Sequence, residues 1–246
     1  MATSGSYTFS LTRDALIQQT FSLMGTYDDD SPPPQTAINT ASVQLNLLMK
    51  QMMTKNYNLW CLTDVTIPLT TGKIQYLLGP GTPTDFATYK PLRIQMARLQ
   101  YTDTGPYPLE VPLIELSRQE YNMLGQKTAP GTVNSWFYDP QRLQGILSLY
   151  LSPDVVPNTI ILTVQRPIQD VLTGSDDFDL PIEWLNALSY NLAAALCLHF
   201  DVPANKTSVI IQLAQKYLDE MLDFDQETAS TFFSPNMRLM DNKGAY

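Results

Sequence analysis

Residues able to do covalent or acid–base chemistry are few in this sequence, and they are poorly spaced. The one histidine, His199, lies on the apolar stripe of an expected helix. Cys197 stands two positions before it, and side chains at i and i+2 of a helix do not face each other. A Cys–His pair there has poor geometry, so His199 is expected in a core or an interface. Cys61 and Cys197 are isolated among apolar residues, where a thiol behaves as a small buried hydrophobe, and both are expected to stay reduced. No serine occupies a nucleophile elbow, and Gly79-Pro-Gly81 has the wrong continuation for a phosphate-binding loop. Two distant cysteines and one histidine do not make a zinc set. The Asp28-Asp29-Asp30 run lacks the spacing of a calcium loop. No catalytic residue, metal site or cofactor is therefore expected. Trp60, Trp136 and Trp184 are the residues with which a carbohydrate-binding module would stack on sugars, but Trp184 opens an expected helix and Trp60 closes one.

The carboxylates are more informative. The chain has 246 residues and a net charge of −9. Between Asp170 and Glu227 eleven acids face only Lys206 and Lys216, and the remainder balances, so the acidity belongs to one region. Two readings stay open: a solvated acidic face, or a surface that must not adhere to a polyanion. Arg93, Arg98, Arg118, Arg142 and Arg166 are scattered, and no basic run occurs. That pattern disfavours specific DNA recognition while allowing DNA to pass ungripped. Charged residues are only 16% of the chain, well below the usual quarter. Such a chain wets its surface with Thr, Ser, Gln and Asn or hides it against partners. The apolar run Leu192–Leu198 is far short of the roughly 20 residues of a membrane helix. Met1–Phe9 has neither the basic nor the apolar region of a secretory signal, so a soluble protein made in a reducing cytosol is expected.

The elements that would position these groups follow a helix–helix, strands, helix–helix order. A first helix is expected after Thr12, with Asp14 in its first turn and Gly25 at its end. Pro34 is suited to open a second, whose Ile38, Ala41, Leu45, Leu48 and Met52 form one apolar stripe. Then Val65, Ile67 and Leu69 alternate with polar residues or proline, Thr70–Lys73 reads as a turn, and Ile74–Leu78 as a return strand. Pro68 marks an edge or interrupted strand. Further strands are expected at Leu92–Tyr101, Leu109–Ile114, Trp136–Asp139, Ile146–Leu151 and Thr159–Arg166, in the manner of an antiparallel sandwich or barrel. A capping box at Ser117–Glu120 opens a short helix closed by Gly125. Asp179 and Pro181 suit the start of the third main helix, with Leu185, Leu188, Leu192, Ala195 and His199 on one face. The fourth is expected near Ser208, with Ile210, Leu213, Tyr217, Met221 and Phe224 on one stripe.

The expected class is thus α+β. A four-helix domain (residues 1–62 and 170–227) carries an inserted antiparallel β-sandwich or barrel domain (63–169) and an extended C-terminal tail (228–246). The tail holds Phe232, Phe233, Met237, Leu239 and Met240 without a sustained period, so it is either disordered or docks on a partner.

The order of several short blocks resembles the head-to-tail adaptor proteins of short-tailed DNA phages, also called tail accessory, head-completion or DNA-stabilisation proteins. The likeness runs through Arg13–Ile17 with Leu23–Gly25, Asn58–Trp60, Val65–Lys73 with Tyr76 and Gly79–Gly81, and Arg93-Ile94. It continues through Tyr138–Pro140, Leu149–Pro153 and Asp179–Trp184 with Leu188–Ala193. None is a catalytic signature, and nothing marks residues for the cell-wall hydrolysis credited to some members. The Asp28–Pro34 loop and the tail have no counterpart that can be placed. The resemblance implies a homo-oligomeric ring, typically dodecameric, beneath the portal protein at the virion neck. The helical part would surround the channel and touch the portal. The β part would face outward or toward the next tail or nozzle component. Double-stranded DNA would be retained, then pass through the lumen at ejection. Acids among Asp219, Glu220, Asp223 and Asp225 would then line the bore, and the tail residues would dock on the portal. A tail-ring or decoration subunit and a carbohydrate-binding sandwich are the alternatives.

Overall fold

The computed structural model describes residues 5–7, 9–27, 30–55, 59–101, 107–154 and 158–225. Helix α1 (Arg13–Met24) begins where Thr12 accepts from the Ala15 amide, with Asp14 in its first turn. Gly25, at φ 66°, closes it by donating to the Phe21 and Ser22 carbonyls, a left-handed conformation that favours glycine. Helix α2 (Gln35–Lys55) starts just past Pro34, whose carbonyl accepts from Ala37 and Ile38 at 2.9 and 3.2 Å. A short 3-10 turn (Leu59–Cys61) leads into β1 (Leu62–Pro68). There follow β2 (Gln75–Leu78), β3 (Arg93–Tyr101), β4 (Leu109–Pro112), β5 (Ile114–Glu115) and α3 (Arg118–Met123). Next come β6 (Pro130–Gly131), β7 (Ser135–Pro140), β8 (Gly145–Tyr150), β9 (Ser152–Pro153) and β10 (Asn158–Gln165). Helices α4 (Trp184–Leu196) and α5 (Ala204–Phe224) close the described chain.

Two hydrophobic clusters result. In the first, α1, α2 and α5 pack around α4, which has no charged residue and is buried on most sides. Phe21, Leu45, Met49, Leu188, Leu192 and Leu196 are at its centre. Phe21 meets Tyr27 and Phe200 edge-on at centroid distances of 5.2 and 5.1 Å. Burying a residue such as Phe21 contributes about 2–3 kcal/mol.

The second cluster lies between two four-stranded sheets, ordered β1-β10-β3-β4 and β2-β8-β7-β5. Inward positions alternate along the strands: Val65 and Ile67 on β1, Ile160, Leu162 and Val164 on β10. A bulge interrupts that alternation on β3. Thr163 pairs with Met96 but Val164 with Ile94, so Gln95 is extra, and Ile94, Ala97 and Leu99 all face inward. Tyr76, Leu78, Trp136, Leu147 and Leu149 supply the opposing side. Most pairings are antiparallel, while β5–β7 and β6–β9 are parallel.

Several expectations are corrected. Among the described residues no strand of one four-stranded sheet pairs with the other, so the protein is not a closed barrel. The Thr70–Lys73 turn forms, with the Lys73 amide donating to Thr70, but β2 does not return along β1. It pairs with β8 in the other sheet, and the Tyr76 hydroxyl accepts from the Thr70 amide. Gly125 does not close α3: Leu124 is its C-cap, in extended backbone, and the positive φ falls on Gln126. Asp179 does not cap α4, because the helix starts only at Trp184 with Glu183 at its N-cap; the Asp179 carboxylate is bound by Arg166. Helix α4 ends at Leu196, so His199 falls beyond it and is exposed, outside the core. Pro68 does stand on an edge strand, as its missing amide hydrogen requires.

Candidate assembly surfaces

Helix α5 presents the exposed acids. It rests on α4 through Ile210, Ala214 and Leu218. Small Ala214 permits close approach, and its carbonyl accepts from Asn191 of α4 at 3.1 Å. Leu213, Tyr217 and Met221, expected on the buried stripe, are half-buried beside this line, while Phe224 is 70% exposed. Asp219, Glu220 and Asp223 face solvent. Asp219 accepts from Gln215 at 2.7 Å, and Glu220 is 3.7 Å from Lys216, one turn earlier. Acids in the last turns of a helix oppose its dipole, and α5 has no basic residue in its last turn. Asp223, in the last turn, faces solvent with its charge opposed by the helix dipole.

Asp225 differs from them. Its carboxylate accepts from the Leu59 amide at 3.2 and 3.3 Å, tying the end of α5 to the 3-10 turn. Burial pushes its carboxyl above the usual range, more than the Leu59 hydrogen bond lowers it.

The acids between Asp170 and Asp179 hold a linker. Asp170 pairs with Lys50 of α2, whose ammonium also donates to the Ile168 carbonyl at 2.9 Å. Asn46 clasps Val171 in both directions, donating to its carbonyl at 3.0 Å and accepting from its amide at 3.1 Å. Asp176 accepts from the Thr173 hydroxyl and from the Leu172 and Thr173 amides, which hold its carboxyl below the ordinary range. Burial alone would raise Asp179. Hydrogen bonds from Arg166 and the Gln169 amide, with the Arg166 charge, outweigh it and hold the carboxyl low. The acidic region therefore divides: Asp170, Asp176 and Asp179 are engaged within a linker, while Asp219, Glu220 and Asp223 face solvent near the end of α5.

The remaining candidate chemistry is absorbed by structure. Both cysteines are buried and free, and desolvation pushes the Cys61 thiol up to about 11. No group of acids, cysteines and histidine among the described residues is placed to hold a metal. Trp136 and Trp184 are buried, and Trp60 packs on Trp184 with ring centroids 4.9 Å apart, so none offers an open face to a sugar. Arg98 pairs with Asp64 and Glu110, and Arg118 with Asp139, so these arginines do not form a basic patch. A hollow of about 450 Å³ beside α1 is lined by Gln18, Gln19, Ser22, Tyr27 and prolines, without an acid–base pair. No helix among the described residues is long and apolar enough to cross a membrane.

The docking-tail residues Phe232, Phe233, Met237, Leu239 and Met240 lie outside the described residues, as do Asp28 and Asp29. Sequence periodicity missed the uncharged solvent face of α2, legible in the absence of acids and the exposed Val43 and Leu47.

A family model described as SU10 adaptor protein matches residues 11–238. The match spans both hydrophobic clusters, the 28–34 loop and the tail through Arg238. No curated protein matches the chain.

Proposed function

Since this chain belongs to the SU10 adaptor protein family, structural adaptors of phage virions, we propose that it is a head-to-tail adaptor subunit and not an enzyme. Copies form a ring, a dodecamer by analogy with such connectors, that docks under the portal protein and receives the next tail or nozzle component. The ring retains packaged double-stranded DNA and passes it at ejection without reading its sequence. The protein is made in the host cytoplasm and resides at the virion neck.

The carrying observation is a family match over residues 11–238. We assign residues 1–62 and 170–227 to a helical domain near the channel and 63–169 to an inserted β domain. Two separate hydrophobic clusters support that partition. Asp219, Glu220 and Asp223 are the acids proposed for the bore. A like-charged wall denies DNA the counterion release that drives phosphate binding, so DNA slides. Asp225, held by Leu59, is the weakest member of that set. Residues 228–246 are proposed to dock on the portal through Phe232, Phe233, Met237, Leu239 and Met240.

The test is co-sedimentation with the purified cognate portal ring. The adaptor role predicts a monomer or weak oligomer alone, a ring on the portal, and loss of docking when residues 228–246 are removed. A tail-ring or decoration subunit would assemble without binding the portal. In the assembled ring, neutralising Asp219, Glu220 and Asp223 together should raise salt-sensitive DNA binding; unchanged binding would remove these acids from the bore.

A further inference from the structure

Two solvent-facing stripes of the helical cluster carry no charge. On α2, Thr36, Thr40, Val43, Leu47, Gln51 and Thr54 recur at intervals of three or four and lie on one side. All are exposed, Val43 by 60% and Leu47 by 58%. The stripe is about 27 Å long at 1.5 Å per residue, and solvent faces of surface helices usually bear charges. Lys50, beside it, is engaged by Asp170 and the Ile168 carbonyl. The second stripe is one flank of α5, formed by Ala204, Ser208, Ile211 and Gln215, with Ile211 50% exposed. It stands roughly 100° around the helix from the buried Ile210 line. Lys216, Glu220 and Asp223 occupy the other flank, and Asp219, one turn past Gln215, ends the uncharged line.

We infer that the α2 stripe of one copy packs on the uncharged flank of α5 of the next, Val43 and Leu47 against Ile211. The inference rests on the ring assembly proposed above and names the faces that make it. An uncharged stripe requires an uncharged counterpart, because burying an unpaired charge is costly. This chain supplies that counterpart on a different helix. Because the two faces are unlike, the contact is head-to-tail, the kind that closes into rings. The α2 stripe covers about 270 Å² and the α5 flank about 170 Å², from lengths of about 27 and 17 Å and a helix width of about 10 Å. A stable pair needs about 800 Å² per partner. One such contact is too small to hold a free dimer, so the ring requires both neighbours and a template. The contact also leaves Glu220 and Asp223 uncovered.

Cross-linking tests the pairing. The native cysteines are both buried, so Leu47→Cys and Ile211→Cys place the accessible thiols on the full-length chain. With a short bismaleimide in concentrated solution, a mixture of the two variants should cross-link at least about tenfold more than either alone, as a heterologous contact requires. Equal yields would overturn the assignment. The doubly exposed site also accepts Val43→Glu with Leu47→Glu without disturbing the core, checked by circular dichroism. These copies should bind portal singly and fail to close a ring; normal rings would overturn it. If portal is bound but the mixed cysteines show no excess, this interface falls and the adaptor role stands. If the mixed pair cross-links while portal is ignored, the interface stands and the adaptor role falls.

Discussion

Replacing Asp179 by Asn should destabilise the protein by about 2–3 kcal/mol at neutral pH. The carboxylate receives both guanidinium nitrogens of Arg166 and the Gln169 amide, and the two side chains are only 20% and 22% exposed. Breaking a fully buried pair costs about 3–5 kcal/mol and breaking an exposed one about 0–1. A pair exposed by one fifth falls between, toward the larger figure. Asn keeps the shape and one acceptor but leaves the Arg166 charge without its counter-ion. For a chain of this size the loss corresponds to a fall in Tm of about 4–12 °C. The pH dependence has a fixed sign. Asp179 titrates lower in the folded protein than unfolded, so its contribution is complete above pH ~4 and fades as pH falls through the folded value. Urea denaturation of both proteins at pH 7, 5 and 3 therefore yields a gap that is constant between the first two and narrows at the third. Arg166→Met completes a double-mutant cycle and should show coupling of the same order. A gap below about 0.5 kcal/mol at pH 7, or one that persists unchanged in acid, would refute the reasoning.

Three further outcomes are expected. A Cβ added at Gly145 would lie 2.1 Å from the Tyr138 hydroxyl and 2.3 Å from its ring, displacing the ring and its hydrogen bond to the Pro91 carbonyl. Gly145→Ala should thus cost about 2–4 kcal/mol in urea denaturation, and an unshifted midpoint would contradict the packing. Iodoacetamide at pH 8 should label neither Cys61 nor Cys197 until denaturant is added; rapid labelling of the native protein would show the burial wrong. Asp225 titrates higher folded than unfolded, so the folded state gains stability as pH falls through that window and bears a cost at pH 7. Asp225→Asn should therefore match or slightly exceed the parent in stability at pH 7, and a loss above about 1 kcal/mol would count against it.

Helix ends and strand positions were readable because their causes are local. Thr12, Gly25 and the Ser117–Glu120 box act through backbone groups within four residues, and each does what its type suggests, Gly125 excepted. Strand pairing was not readable in the same way. The turn at Thr70–Lys73 looks like any hairpin turn, and only the long-range partner β8 decides that β2 joins the other sheet. Asp179 carries a capping residue's chemistry, yet α4 starts only at Trp184, and Arg166, thirteen positions before Asp179, binds its carboxylate. Of the acidic region, composition revealed the charge but could not divide it between linker clasps and the end of α5, since Lys50, Arg166 and Leu59 come from elsewhere in the chain. The α5 stripe was displaced toward Ala214 because proximity to α4, not hydrophobicity, selects the buried line.

The chain enters and leaves the β region at a single rung. Leu62 pairs with Gln165, and the Arg166 amide donates to the Cys61 carbonyl at 2.8 Å. Tension pulling the two ends of the polypeptide apart would accordingly travel through the helices and cross at that rung. Everything beyond it hangs outside the line of force, as long as the β1–β10 ladder does not begin to unzip. Strain carried by the helical cluster would leave the shape of the sheets unchanged.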